Sequence, residues 1–248
     1  MIWHQCHGER RIEPLSGLLF RLVESQEQVA TLEYVDTLEE QALLEEMLEE
    51  AKPPYPGDCD ELFYLLKTPF RYPPLKWGSR FGRVHEPSIF YGGTDVRVTL
   101  AESAYYRFVF WYSMEAEPVK DKIRTEHTLF SVTYASDKGL QLHLPPFDAH
   151  LQELAHPRNY QACQLLGSAM RAAGVEVFEY LSARDQCRGI CVGLFTPQAF
   201  AEKSPRDMCQ WLCEVSTHEV SYKQIGERTV RTFSLEQFLF EGELPLPA

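Results

Sequence analysis

Residues 88–110, SIFYGGTDVRVTLAESAYYRFVF, read as a short strand, a glycine turn and a helix in quick succession. Ile89, Phe90 and Tyr91 suit a pleated surface, and Gly92-Gly93 breaks the strand. Thr94 is the expected cap of a helix reaching about Phe110, because Val98, Ala101, Tyr105, Phe108 and Val109 recur at helical spacing. The same alternation continues downstream. Strands are expected over 128–134, 140–144, 175–181 and 189–195, with a helix over 160–173 stopped by Gly174. Thr196-Pro197 opens a short helix, and strands over 214–222 and 229–233 precede a last helix near 234–240.

Upstream, Gly17-Leu18-Leu19-Phe20-Arg21-Leu22-Val23 is a strand interrupted by one arginine. A helix follows, opened by Asp36 with Glu39 three residues on and ended by Pro53-Pro54. It is expected to pack through Leu44, Met47 and Leu48 with its glutamates in water. The alternative is a docking face for a basic partner. A second short helix runs from Asp58 through Leu66 and closes before Pro69. No repeat or long linker divides the chain. The expectation is one mixed α/β domain over 1–248, carrying a helical acidic insertion at about 24–70.

The chain has 248 residues, 44% hydrophobic and 24% charged, enough to bury a core without disulfides or metal. Its net charge of −12 argues against general binding to nucleic acid or anionic membranes. Residues 36–50 hold seven acids and no base, so the rest of the chain is only mildly acidic. The first residues are short and polar, unlike a signal peptide, and no apolar run approaches the ~18 residues of a membrane span. Seven cysteines, an odd number, then indicate a reduced cytoplasmic protein with free thiols. Cys187/Cys191 and Cys209/Cys213 lack the spacing of zinc knuckles, so no metal is expected. Neither a Walker loop nor a dinucleotide glycine fingerprint after a strand is present, and no resident cofactor is expected.

One stretch and three residues stand out chemically. The stretch 70–83, FRYPPLKWGSRFGR, has four basic residues, four aromatics and no acid, which suits an anionic ligand. Within it Arg80 sits in a Gly-Ser-Arg-Phe-Gly loop, where its planar fork is able to clamp phosphate; a surface-loop arginine is the plain alternative. Glu102 interrupts an apolar helix face, either at its edge reaching water or held in a cleft. Ser182 follows a strand, where open α/β sheets place ligands and where turn serines are also common.

The order Gly-Ser-Arg-Phe, Phe-Tyr-Gly-Gly, Thr-Leu-Ala-Glu and Tyr-Leu-Ser-Ala-Arg, with eleven residues from Arg80 to Tyr91 and eleven from Tyr91 to Glu102, resembles the RES-domain family. Leu19-Phe20-Arg21-Leu22 matches that family's first arginine, so the resemblance spans roughly 17–196. Two features depart from it: Phe81-Gly82 stands where Trp-Asn is usual, and 58 residues separate Arg21 from Arg80.

The resemblance implies an ADP-ribosyltransferase-like fold and NAD as substrate, cleaved at the nicotinamide–ribose bond by water or phosphate. It implies a toxin of a bacterial toxin–antitoxin pair with a helix-turn-helix antitoxin partner. Mono-ADP-ribosyl transfer to protein is the alternative chemistry. A non-enzymatic scaffold using the acidic helix is the alternative class, and a homo-oligomer is compatible with each. By the same resemblance, Glu102 stabilises the ribosyl cation and Arg80 holds the pyrophosphate. Tyr91 offers a flat face to nicotinamide, and Ser182 fixes its amide. Arg21, or Arg71 with its neighbour Tyr72, completes the substrate-binding set.

Overall fold

The computed structural model describes residues 1–25, 34–57, 59–116, 118 and 120–246. Its helices are α1 (Ile2–Gln5), α2 (Leu38–Glu50), α3 (Tyr64–Arg71), α4 (Val96–Tyr112), α5 (Leu151–Leu154) and α6 (Gln161–Ala172). Its strands are β1 (Glu13–Glu24), β2 (Phe90–Gly93), β3 (Lys122–Gln141), β4 (Val177–Leu181), β5 (Ile190–Leu194), β6 (Asp207–Ser216), β7 (Glu219–Gln224) and β8 (Val230–Ser234). They form one sheet in the order β1-β2-β5-β4-β3-β6-β7-β8, and β1 also pairs with β3. Strands β1, β2, β5, β4 and β3 therefore close a ring, and β6–β8 extend from it as a wing.

The long β3 is the common rail of ring and wing. Residues 128–134 and 140–144 were expected to be separate strands, but β3 runs unbroken through Ser136-Asp137-Lys138. Those polar residues are absorbed as a register shift against Glu13–Leu15 of β1, a bulge rather than a break. From His127 to Val132 both faces of β3 are buried. The ring is filled by Leu19, Leu66, Phe90, Phe130, Val192 and Leu194. Helix α4 covers the wing, with Leu100, Tyr105 and Phe108 against Trp211, Val215, Val220 and Tyr222. Helix α6 packs on the opposite side through Leu166 and Met170, against Phe81, Phe178 and Tyr180.

Several local expectations are corrected. Helix α4 is capped by Asp95, whose Oδ1 accepts from Val98 N at 2.9 Å, because Thr94 gives its hydroxyl to Ile190 O instead. Helix α2 is capped one residue later than expected, by a reciprocal Thr37/Glu40 box. Of its three expected packing residues Leu44 is half-buried, beside the buried Gln41, whereas Met47 and Leu48 are exposed, as are Leu38 and Leu43. Its anchor to the body is polar, from Glu49 Oε1 to Arg71 Nη1 at 2.5 Å. The expected cap Asp58 lies outside the described residues. Helix α3 begins at Tyr64 and keeps Pro69 inside its last turns, so Arg71 is helical rather than part of the irregular loop. The expected strand over 214–222 is the β6–β7 hairpin, and the last helix is a single 3-10 turn over Leu235–Phe238. All seven cysteines are free, and no helix among the described residues is long and apolar enough to cross a membrane.

One close approach fixes the loop that carries Arg80. A Cβ on Gly167 of α6 would overlap the Phe81 carbonyl. Gly167→Ala should cost about 1–3 kcal/mol, read as a lower urea midpoint at unchanged slope. An unchanged midpoint would show that this helix does not hold the loop.

Candidate functional site

Strand β1 pairs with β2 only at Phe20 opposite Gly93, after which the two diverge. The gap opens into a cavity of about 530 Å³. One wall is α4, through Thr99, Glu102, Ser103, Tyr106 and Arg107, which share a helix face by their spacing. The other walls come from Arg21 and Glu24 of β1, the loop from Pro73 to Arg80, and Tyr91, Tyr160, Tyr180 and Cys191.

The Arg80 loop is built by glycine and pinned by side chains. Gly78 adopts φ +75°, a left-handed conformation that a Cβ disfavours. Gln164 Nε2 donates to Trp77 O and Ser79 O, both at 3.1 Å. Tyr91 OH accepts from Phe81 N at 3.2 Å and lies 3.0 Å from Ser79 Oγ. Burial pushes the Tyr91 phenol up to about 12, so it stays protonated. Arg80 is buried, donates Nη1 to His156 O at 2.9 Å and stacks 4.4 Å over the Tyr160 ring. Burial works against its charge, but the surrounding Tyr160, Cys163 and Glu102 groups outweigh it and raise its pKa.

Ser182 lies behind Glu102. Its Oγ accepts from Arg184 N at 3.0 Å and from Asp185 N at 2.9 Å, which leaves its one proton for Glu102 Oε1 at 2.5 Å. Asp185 secures this turn by taking Arg97 Nη1 at 2.5 Å and Gly189 N at 2.7 Å. Ser182 is only 1% exposed and does not line the cavity, so its hydroxyl faces the carboxylate rather than a substrate amide. Cys191 Sγ lies 3.8 Å from the same Glu102 oxygen.

Arg21 reaches the cavity, and Arg71 does not. Arg21 Nη1 donates to Tyr91 O at 2.5 Å, its guanidinium lies 4.7 Å from the Phe90 ring centre, and burial pulls its pKa down to about 10. Among the described residues it has no carboxylate partner, and its buried Nε makes no hydrogen bond. Arg71 is turned away by the continuation of α3 and spends its charge on Glu49 and the Pro53 carbonyl. Tyr72 is 41% exposed, gives only its carbonyl to Ser88 Oγ and stays outside the cavity. The structure thus brings Arg21, Arg80, Tyr91 and Glu102 to one cleft, with Ser182 behind, and excludes Arg71 and Tyr72.

Sequence reading missed Glu24, Arg107 and His127. Glu24 stands opposite His127 in the β1–β3 register and pairs with Arg107 at 2.5 Å. The available signals were positional: Glu24 is three residues past Arg21, and Arg107 is five past Glu102.

The RES domain family model matches residues 57–216 of the chain. No curated protein sequence matches it. Among solved structures it is similar to a chain in the crystal structure of the M. tuberculosis MbcT–MbcA toxin–antitoxin complex. That likeness has a TM-score of 0.50 and 10% identity, covering 84% of this chain and 90% of that one. At such identity the likeness is one of fold.

His127 gives the cleft a pH signature. Burial first, and the Arg107 charge second, hold its pKa down to about 4 against the ordinary 6.5. As pH falls below 6.5, the unfolded chain binds a proton that the folded chain refuses until about pH 4. Stability is therefore complete above pH 6.5 and is lost through that window, by about 3 kcal/mol as an order of magnitude. Urea midpoints of wild type and His127→Gln should converge towards low pH. The wild-type His127 ring protons should titrate near pH 4, and a midpoint near 6.5 would contradict this.

Proposed function

The chain belongs to the RES-domain family, and on that premise we propose that it binds NAD in the β1–β2 cleft and breaks the nicotinamide–ribose bond. The observation that carries this reading is a half-buried arginine, Arg21, with no carboxylate partner among the described residues and a buried Nε that makes no hydrogen bond, sharing a cavity with a carboxylate oriented by a hydroxyl, Glu102. An unneutralised guanidinium suits an anionic diphosphate. A preorganised carboxylate suits charge that develops on a ribose.

In the proposed reaction the C1′–N bond breaks and its electron pair passes to the nicotinamide ring, discharging the pyridinium. The ribose is left with oxocarbenium character, which Glu102 stabilises electrostatically. Ser182 acts through Glu102 as a positioning residue, keeping one oxygen tethered. Tyr91 holds the Arg80 loop in place, and the cavity's aromatic rings offer faces to the nicotinamide. An oxygen of water or phosphate then bonds to C1′ and its proton is released to solvent, giving glycohydrolase or phosphorylase chemistry. NAD is substrate here, with no resident cofactor. The chain is read as one such domain over 1–248 with its insertion at about 24–70.

The similar solved chain comes from a toxin–antitoxin complex. We extend to this chain the role of a cytoplasmic toxin restrained by a protein partner of helix-turn-helix type. The solvent-facing glutamates and apolar side chains of α2 favour a basic, partly apolar contact surface on such a partner.

The test is nicotinamide release from NAD by purified protein, with and without phosphate. Glu102→Gln should lower the rate ~10²–10³-fold at matched folded concentration. Arg21→Ala should raise KM ~10–100-fold, the weight of a charged hydrogen bond, whereas Arg71→Ala should leave KM in place. Equal release by wild type and Glu102→Gln would overturn the role of this carboxylate. No release by wild type under either condition would overturn the enzymatic reading.

A further inference from the structure

Two carboxylates line the cavity among the described residues, Glu102 and Glu24. Glu102 is tied to Ser182, and Glu24 is held by Arg107 at 2.5 Å. Arg107 follows Glu102 by five residues on α4, about 7.5 Å farther along the helix axis. Arg21, half-buried, precedes Glu24 on β1 and reaches back to the Tyr91 carbonyl. A dinucleotide has two ribose diols separated by a diphosphate. The cavity has a carboxylate on α4 and a second on β1, with a guanidinium three residues before the second on the same strand.

Building on the NAD reading above, we propose that Glu24, held in place by Arg107, selects NAD over NADP by accepting the 2′-hydroxyl of the adenosine ribose and repelling a 2′-phosphate. A carboxylate accepts hydrogen bonds from a diol and offers none to a phosphate. Arg107, only 15% exposed along its side chain, is the nearby cation that would welcome a phosphate, and Glu24 already neutralises it. His127, directly across the register from Glu24, adds no compensating charge at neutral pH because it is neutral there. The pair therefore works by exclusion: the phosphate meets a negative charge and finds its arginine occupied.

The chemistry predicts what removing the exclusion does. Glu24→Gln keeps the side chain's size, removes the repulsion and releases Arg107 for a bidentate phosphate contact. Arg107→Ala removes the cation and leaves Glu24 to repel the phosphate.

The experiment measures kcat and KM of the full chain with NAD and with NADP for wild type, Glu24→Gln and Arg107→Ala. Wild type should favour NAD by roughly 10²-fold in kcat/KM, the scale of a like-charge clash. Glu24→Gln should bring the two within about tenfold, mostly through a lower KM for NADP, and Arg107→Ala should gain no NADP use. Wild type consuming both dinucleotides equally, or Glu24→Gln keeping the wild-type ratio, would overturn the assignment. Release of nicotinamide from neither dinucleotide would count against the catalytic reading alone. Calorimetric titration of wild type and Glu24→Gln with NAD and NADP then decides selection: tighter NAD binding by wild type that is lost in the variant supports it, and equal affinities overturn it.

Discussion

A single pair of residues, Phe20 opposite Gly93, ties β1 to β2 before the strands separate. Everything in the cleft follows from that one join. A side chain on Gly93 would collide with Val98 and Thr99 of α4, and one on Gly92 would press the Phe20 carbonyl at 2.8 Å. The two glycines thus allow a strand, a helix and a second strand to meet at one point. Thr99 closes the junction by donating to Phe20 O at 3.2 Å. Beyond it, backbone groups that a continuing ladder would have satisfied face the cavity instead, and Arg21 takes one of them, the Tyr91 carbonyl.

The cleft's electrostatics oppose those of the surface. The chain carries −12 overall, with seven acids between 36 and 50, yet its cavity is lined by Arg21, Arg80 and Arg107. Each arginine is held differently. Arg80 rests on carbonyls and an aromatic ring, Arg107 on a carboxylate, and Arg21 on a carbonyl and a ring alone. Only the last leaves a buried guanidinium nitrogen, Nε, without a hydrogen bond, which is costly unless a ligand completes it.

Much of this was legible in the sequence, and the parts that were not have identifiable causes. Arg80, Tyr91 and Glu102 lie within one loop–strand–helix unit, and the resemblance of their order and spacing to the RES-domain family pointed to their neighbourhood. Ser182 was recognised, but its orientation depends on the backbone amides of Arg184 and Asp185, which no side-chain pattern reveals. Arg71 was misplaced because Pro69 reads as a helix stop, whereas α3 runs through it and swings the guanidinium towards Glu49. The face of α2 was placed partly wrong: it turns Gln41 and Leu44 inward and leaves Met47 and Leu48 out, because a glutamine buries its amide where the leucine spacing alone points elsewhere. Glu24 and Arg107 escaped notice because charged residues at a strand end and on a helix read as solvated.

The stretch between β1 and α3 contributes no strand to the sheet among its described residues, and its helix is fastened to the body by an ion pair. Lengthening such a connection costs little: each doubling of a loop adds only about 0.6 kcal/mol of closure entropy. Mutational drift on the exposed face of α2 is therefore nearly decoupled from the cleft, whose residues are locked by ring closure and glycine contacts. Whereas Cys59, Leu62 and Phe63 nearer α3 are held by the core, lineages are free to lengthen or recharge the exposed turns of α2 at little folding penalty. Recognition of other macromolecules is able to diversify there while the reaction chamber stays fixed.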